Sequence, residues 1–138
     1  MPVLTYGAEV WTMTTSDEAT LGVFERKILR KIFGPLHVGN GEYRDELYEL
    51  YDDIDIAQRI KIQRLRWLGH VVRMDTNAPA LKVFDAVPAG GSRGRGRPPL
   101  RWKDQVEKDL TSLGVSNWRR LARERNDWRA LLSSAEIA

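Results

Sequence analysis

The chain has 138 residues and is 42% hydrophobic, which suffices for one domain with a modest core. Without cysteine it has no disulfide, thiolate metal site or cysteine nucleophile, and its two distant histidines disfavour a histidine-rich metal site. No apolar run approaches the roughly 20 residues of a membrane span, and the N-terminus lacks the pattern of a signal peptide. We therefore expect an intracellular protein, located in the nucleus, with no cofactor, membrane partner or small-molecule substrate.

The net charge of +3 conceals strong segregation of charge along the chain. Acidic residues concentrate in 40–56, and basic residues without an acid occupy 93–103. Of the 22 basic residues only six are lysine, which leaves 16 arginines. The planar guanidinium fits phosphates and base edges better than a point charge does. This bias favours a nucleic-acid partner.

The order of apolar and breaking residues predicts an all-α fold, a small bundle of about five helices with a Gly/Arg/Pro-rich basic loop and no confident strand. The predicted single helical domain (1–138) consists of 1–13, a possible remnant of a preceding element, the N-terminal helices in 14–87, the basic loop 88–99 and the C-terminal helix pair in 100–135.

Two helices are predicted before the middle of the chain. The first begins after hydroxyl caps at Thr14 and Thr15 and stops at Gly34-Pro35. A second, strongly acidic helix is expected over Glu42–Tyr51. Helical spacing places a core face of the first helix at Leu21, Phe24, Ile28 and Ile32.

The stretch from Asp55 to Met74 predicts a central helix, because Asp55 is a good N-cap and apolar residues occupy more than one sector. Its charged residues fall into two groups. Lys61 and Arg64 lie inside the apolar arcs, where their stems are expected to snorkel. A basic edge about 21 Å long is formed, at seven-residue spacing, by Arg59, Arg66 and Arg73, with His70 beside them.

The segment 88–99 alternates glycine with arginine and cannot form a regular helix or a central strand. Its core, Arg95-Gly96-Arg97-Pro98, resembles an AT-hook, which lays an extended backbone in the minor groove of AT-rich DNA. A narrow minor groove attracts arginine through its negative potential. Binding of single-stranded RNA and a solvated linker are the alternatives.

Two helices are expected after the loop. The first covers Leu100–Leu113, and its first turn carries Arg101 and Lys103, at the unfavourable end of the helix dipole. The second begins at Ser116, and its end, 133–138, is expected to fray. Its packed face has the 3-4 spacing of a heptad pattern: Trp118, Leu121, Arg125, Trp128 and Leu132.

Two acidic groups could in principle hold a catalytic metal. Asp52-Asp53 follows a tyrosine, like the aspartate pair of polymerases, but no strand pattern surrounds it, and helix-end capping explains it. Asp104, Glu107 and Lys108 lie beside the basic loop, but a metal nuclease needs several convergent carboxylates. We therefore predict no catalytic residue and no metal site.

An ordered series of motifs along most of the chain resembles one family. It is the segment immediately C-terminal to the polymerase core in reverse transcriptases of non-LTR (LINE-type) retrotransposons. The pieces are Tyr6-Gly7-Ala8-Glu9-Val10-Trp11, Phe24-Glu25-Arg26-Lys27-Ile28-Leu29-Arg30, Glu46-Leu47-Tyr48, Arg64-Leu65-Arg66-Trp67-Leu68-Gly69-His70-Val71-Val72-Arg73-Met74, and Arg95-Gly96-Arg97-Pro98 with Arg101-Trp102.

The resemblance implies a parent enzyme in which an endonuclease nicks DNA and an RNA-directed DNA polymerase copies element RNA from the nick. This segment would correspond to the thumb and downstream helices, which hold template and primer. The fingers, palm, endonuclease and cysteine-histidine knuckle of such proteins are missing here. The chain alone is therefore expected neither to polymerise nor to cut, and the missing polymerase domains are a possible partner.

Two functional hypotheses follow from these observations. The first is a nucleic-acid-binding helical segment that holds template, primer or target DNA. The second is a structural or protein-interaction remnant of a truncated retroelement, whose tryptophan faces dock onto missing parts of the parent. Under the first, the residues expected to contact nucleic acid are Arg59, Arg66, His70, Arg73, Arg93, Arg95, Arg97, Arg101 and Lys103.

Overall fold

The computed structural model describes residues 2–33, 37–38, 42–43, 46–86 and 101–137. Helices dominate these residues, which confirms the predicted all-α fold class. The elements are α1 (Pro2–Thr5), a 3-10 turn (Ala8–Val10), α2 (Thr15–Phe33), β1 (His37–Val38), β2 (Glu42–Tyr43), α3 (Glu46–Tyr51), α4 (Ile56–Val72), α5 (Pro79–Asp85), α6 (Trp102–Ser112), α7 (Trp118–Arg123) and α8 (Arg125–Ile137).

The strands β1 and β2 are a minor feature of two residues each. They pair antiparallel, with His37 opposite Tyr43 and Val38 opposite Glu42. The acidic helix expected from Glu42 is therefore shorter than predicted, because Glu42 and Tyr43 belong to β2 and α3 begins at Glu46. None of the helices in the described ranges is long and apolar enough to cross a membrane.

Helix α4 is central, as predicted. The carboxylate of Asp55 accepts a hydrogen bond from the backbone N–H of Gln58 at 2.7 Å, which confirms the predicted N-cap. The 3-10 turn, α2 and all four of α5–α8 contact this helix. It therefore buries residues on several sides: Ile56, Ile60, Ile62, Arg64, Leu65, Leu68, Gly69 and Val71.

The two halves of α4 belong to different apolar cores. The smaller core joins the start of α4 to the N-terminal segment through Ala8, Met13, Ile56 and Ile60. The described part of the N-terminal segment, 2–13, whose packing the sequence left open, thus contributes a short helix and a turn to this core. The larger core joins the rest of α4 to the C-terminal helices and comprises Leu65, Leu68, Val71, Phe84, Val106, Leu110, Ala122, Trp128 and Leu132.

The buried face of α2 differs from the predicted one. Glu25, only 1% exposed, points inward, and its Oε2 accepts hydrogen bonds from the Tyr48 hydroxyl at 3.0 Å and the Ile56 backbone N–H at 3.1 Å. The carboxylate thus satisfies a free N–H at the positive end of α4. This orientation leaves Phe24 and Ile32 46% and 67% exposed, so their assignment to the core was wrong.

Helices α4 and α8 run antiparallel and approach closely at Gly69. The indole N–H of Trp128 donates to the Leu65 carbonyl at 3.0 Å, and a Cβ at position 69 would overlap that indole. Near the other end, Gln58 donates to the Ala135 carbonyl at 2.8 Å. Ala135 is buried within α8, so the predicted fraying after Leu132 was wrong.

The predicted last helix is divided in two. Glu124 has an extended backbone, with ψ near 104°, and separates α7 from α8. Trp128 and Leu132 lie in the core as predicted, but Arg125 is exposed at the start of α8. Its assignment to the packed face was wrong, because the break interrupts the heptad spacing.

Arg64 is buried instead of snorkelling to solvent. Its Nη1 donates to Asp109 Oδ2 at 2.5 Å, with side-chain exposures of 0% and 5%. Burial raises the pKa of Asp109, and the charge of Arg64 opposes that change. The Nε and Nη2 atoms of Arg64 have no hydrogen-bond partner among the described residues.

Candidate nucleic-acid interface

The structure separates the predicted arginines. Arg93, Arg95 and Arg97 of the basic loop lie outside the described residues, so their role stays a prediction. The other predicted residues lie in three places around α4: Arg59 near its start, Arg66, His70 and Arg73 near its end, and Arg101 with Lys103 at the start of α6.

Arg59 belongs to the acidic end of the molecule. Its guanidinium forms an ion pair with Asp53, whose other oxygen accepts from the Ile54 backbone N–H at 2.8 Å. The surrounding cleft, between α2, α3 and α4, is lined by four acidic residues and three arginines: Glu18, Asp52, Asp53, Asp55, Arg26, Arg59 and Arg66. A phosphate would meet net negative charge here, so the first arginine of the predicted row is poorly placed for nucleic acid.

Arg66 and Arg73 lie toward the other end of α4, on the side next to α8. The Nη1 atom of Arg73 donates to the Ala122 carbonyl at 2.5 Å, which fixes this guanidinium beside α7. Arg66 and His70 are exposed, and the His70 ring lies 5.2 Å from that of Trp67. Arg66 and His70 are therefore accessible to solvent, whereas Arg73 is partly buried against α7.

Two arginines of α8 complete a basic cluster that the sequence interpretation had not assigned to a site. We call it the arginine cleft, a depression of about 170 Å³ between α4 and α8. It was missed because the predicted continuous helix placed Arg125 inward. The i, i+4 spacing of Arg125 and Arg129 was the available signal. The lining residues are Arg66, Arg73, Arg125, Trp128, Arg129, Leu132 and Ser133.

The arginine cleft concentrates positive charge. None of its lining residues, all within the described ranges, is acidic. Over the same ranges Arg73, Arg125 and Arg129 form no ion pair with a carboxylate. Burial and the nearby charge of Arg125 lower the pKa of Arg73. An anion bound here would relieve the repulsion between like charges.

Arg101 and Lys103 lie on a different side of α4. They border an open depression of about 780 Å³ between α4, α5 and the start of α6, which we call the apolar groove. Lys103 places its Nζ 5.3 Å from the centre of the Phe84 ring, a cation–π contact. The structure therefore does not bring these two residues into the arginine cleft.

The acidic side chains do not assemble a metal centre in the described residues. No group of three or more His, Cys, Asp or Glu among them could hold a metal ion. Asp53 and Asp55 instead serve the start of α4, where Asp53 accepts from Ile54 and Asp55 caps the helix. Asp52 follows α3 with a positive φ of 50°.

Comparison with known proteins gives one relationship over nearly the whole chain. An uncharacterized transposon-derived protein of Caenorhabditis elegans is 25% identical over 140 residues, covering 96% of this chain and 50% of the relative. The chain thus spans about half the length of that protein. No protein-family profile matches the chain. No solved structure matches it either.

Proposed function

We propose that this chain is a nucleic-acid-binding helical segment of a retroelement protein, which holds template, primer or target DNA and carries no polymerase chemistry of its own. Within the cell it acts in the nucleus. Two kinds of similarity to retroelement proteins support this proposal. The similarity to a transposon-derived protein fits the resemblance to the region that follows the polymerase core of non-LTR reverse transcriptases.

The observation that carries the proposal is the arginine cleft. Four arginines line one small depression that has no acidic residue among its described lining residues. Among the described residues Arg73, Arg125 and Arg129 form no ion pair with a carboxylate, so their like charges repel one another. Guanidinium forks match phosphate oxygens in shape and charge, so a phosphate backbone is the ligand that best fits the cleft.

A titration at several salt concentrations tests the proposal. The full chain is mixed with labelled AT-rich duplex, mixed-sequence duplex and single-stranded RNA, and fluorescence anisotropy reports binding. The double variant Arg125→Ala/Arg129→Ala should lower affinity about tenfold and reduce the salt slope by about two, one for each phosphate that is no longer neutralised.

A charge-matched control separates a site from general basicity. Arg120→Ala/Arg123→Ala removes two exposed arginines of α7 that do not line the cleft. We expect this control to change affinity by less than about threefold. Equal losses in both double variants, or no salt-sensitive binding by the unmodified chain, would refute the proposal. The triple variant Arg93→Ala/Arg95→Ala/Arg97→Ala measures the contribution of the basic loop.

The alternative, a structural or protein-interaction remnant, has one observation in its favour. Large apolar side chains are exposed on the N-terminal elements, including Tyr6 at 88%, Val10 at 58% and Ile32 at 67%. In a longer parent protein these side chains could face another domain. Self-association of the purified chain, detected by light scattering and abolished by Ile32→Lys, would support this alternative.

A further inference from the structure

The apolar groove is the least explained surface near the proposed interface. Its floor and walls are formed by Trp67 and Val71 of α4, Val83 and Phe84 of α5, and Trp102 of α6. Val83 lines the groove and is 76% exposed. The apolar side chains of the groove are in contact with water. A bound planar group would remove part of their surface from water, which is favourable.

Two of the aromatic walls are held in place by their neighbours. The indole N–H of Trp102 donates to the Glu9 carbonyl at 2.8 Å. The Phe84 ring makes edge-to-face contacts with Trp102 and Trp118, at centroid distances of 5.9 and 6.3 Å. A ligand entering the groove would therefore meet preformed walls, which lowers the entropic cost of binding.

The charges at the rim restrict the class of ligand. Arg101 and Lys103 border the groove at the start of α6, and Asp104 is the single acidic residue among its described lining positions. An apolar surface beside two cations suits a flat apolar group carried on a negatively charged backbone. A nucleotide base with its phosphate has this combination.

The groove and the arginine cleft lie on either side of one exposed strip of α4. At 100° per residue, Arg73, Arg66, His70, Trp67 and Val71 follow one another around the helix. On a helix of this radius the two sites are about 10 Å apart across the surface. His70 lies between them and contacts Trp67. One strand can therefore cross α4 and reach both.

We propose that the apolar groove receives an unpaired base of a single-stranded nucleic acid whose phosphates lie in the arginine cleft. This inference rests on the proposed function and narrows it from nucleic acid in general to a strand with accessible bases. A duplex keeps its bases stacked inside, so it would contact the arginine cleft without filling the groove.

Abasic oligonucleotides test the proposal directly, because they keep the phosphates and lack the bases. The full chain is titrated with a labelled single strand and with the same strand carrying consecutive abasic sites. We expect about tenfold weaker binding of the abasic strand, the loss typical of one base–aromatic stack. Equal affinities would overturn the inference and leave the groove to another ligand, such as an apolar peptide.

A variant that fills the groove gives a second readout. Ala80 is exposed and lines the groove, so Ala80→Trp places a neutral bulky side chain there. The control Ala130→Trp adds the same side chain to an exposed position of α8 outside both sites. We expect Ala80→Trp to weaken the normal strand about tenfold and to leave the abasic strand unchanged, while Ala130→Trp changes neither.

The outcomes separate the two proposals. Salt-sensitive binding that is the same for normal and abasic strands refutes the base site and leaves the arginine cleft intact. Absence of salt-sensitive binding to any probe refutes the proposed function itself. Circular dichroism of each variant verifies folding, and the abasic comparison on the unmodified chain decides the question if Ala80→Trp unfolds.

Discussion

The two ends of α4 carry basic residues in opposite surroundings. Near its start, Arg59 pairs with Asp53, and Lys61 pairs with Glu18 at 3.0 Å. Near its end, Arg66 and Arg73 meet two more arginines from α8 in a cleft without acidic lining residues among those described, although Arg66 lines the cleft around Arg59 as well. The same helix thus offers matched charges at one end and concentrated positive charge at the other.

The difference shows that a row of arginines on one helix is not yet a binding surface. Seven-residue spacing places Arg59, Arg66 and Arg73 along one edge, but the neighbouring helices decide whether each is neutralised. The acids come from α2 and the segment before α4, whereas the added arginines come from α8. Changes at either end can therefore test the contrast.

The largest effect is expected at the buried pair Arg64–Asp109, which joins α4 to α6. Arg64→Met should lower the free energy of unfolding by about 3–5 kcal/mol, because it leaves Asp109 buried without its partner. The double variant Arg64→Met/Asp109→Leu should be close to the unmodified chain or more stable. Urea denaturation measures both, and a double variant as unstable as the single one would contradict the prediction.

The next effect concerns two helical glycines. Gly69 lies in α4 against α8, and Gly22 lies in α2 beside the acidic end of α4. Gly69→Ala should destabilise the chain by about 1–3 kcal/mol, because its Cβ would overlap the Trp128 indole. Gly22→Ala on α2 should instead stabilise it by up to about 1 kcal/mol, since only the flexible end of Arg26 lies nearby. Thermal melts of the two variants should shift in opposite directions, and a shared direction would disprove the distinction.

A smaller effect comes from placing a carboxylate in the arginine cleft, which imitates the acidic end of α4. Ser133 is exposed and lines the cleft, so Ser133→Glu should weaken nucleic-acid binding about fivefold at low salt. Ser134→Glu adds the same charge at the next position, which does not line the cleft. If both variants weaken binding equally, the effect is one of net charge alone.

The smallest effect is expected at the start of α2. Hydrogen bonds from the backbone N–H and the hydroxyl of Thr14, at 2.8 and 2.7 Å, lower the pKa of Asp17. Because the folded pKa is the lower one, this stabilising contribution is present above the unfolded pKa near 3.9 and is lost as pH falls through the folded value. An NMR titration of the Asp17 carboxyl should show a midpoint below that of an unfolded peptide.

Much of the fold follows from local patterns in the sequence. The caps at Thr14 and Asp55, the helix that ends before Gly114 and the central position of α4 all depend on nearby residues, and the structure agrees with them. Local rules failed where a distant partner decides. The orientation of Glu25 depends on α4, and the burial of Arg64 depends on Asp109, 45 residues later.

The candidate site was predictable only in part, for a related reason. Arg66, His70 and Arg73 were selected from one helix, but the arginine cleft also needs Arg125 and Arg129 from a helix that packs antiparallel to it. Helix pairing at Gly69 and the break at Glu124 bring those side chains there. Neither feature is visible in the periodicity of a single segment.

The hydrogen bond from Trp102 to the Glu9 carbonyl links positions 93 residues apart. One wall of the apolar groove is thus held by the first dozen residues of the chain, at the opposite end of the sequence from the arginines of α8. A shortened chain must therefore include Glu9 if the position of Trp102 is to be kept. A version that begins at α2 would keep every arginine discussed above and still lack the support of Trp102.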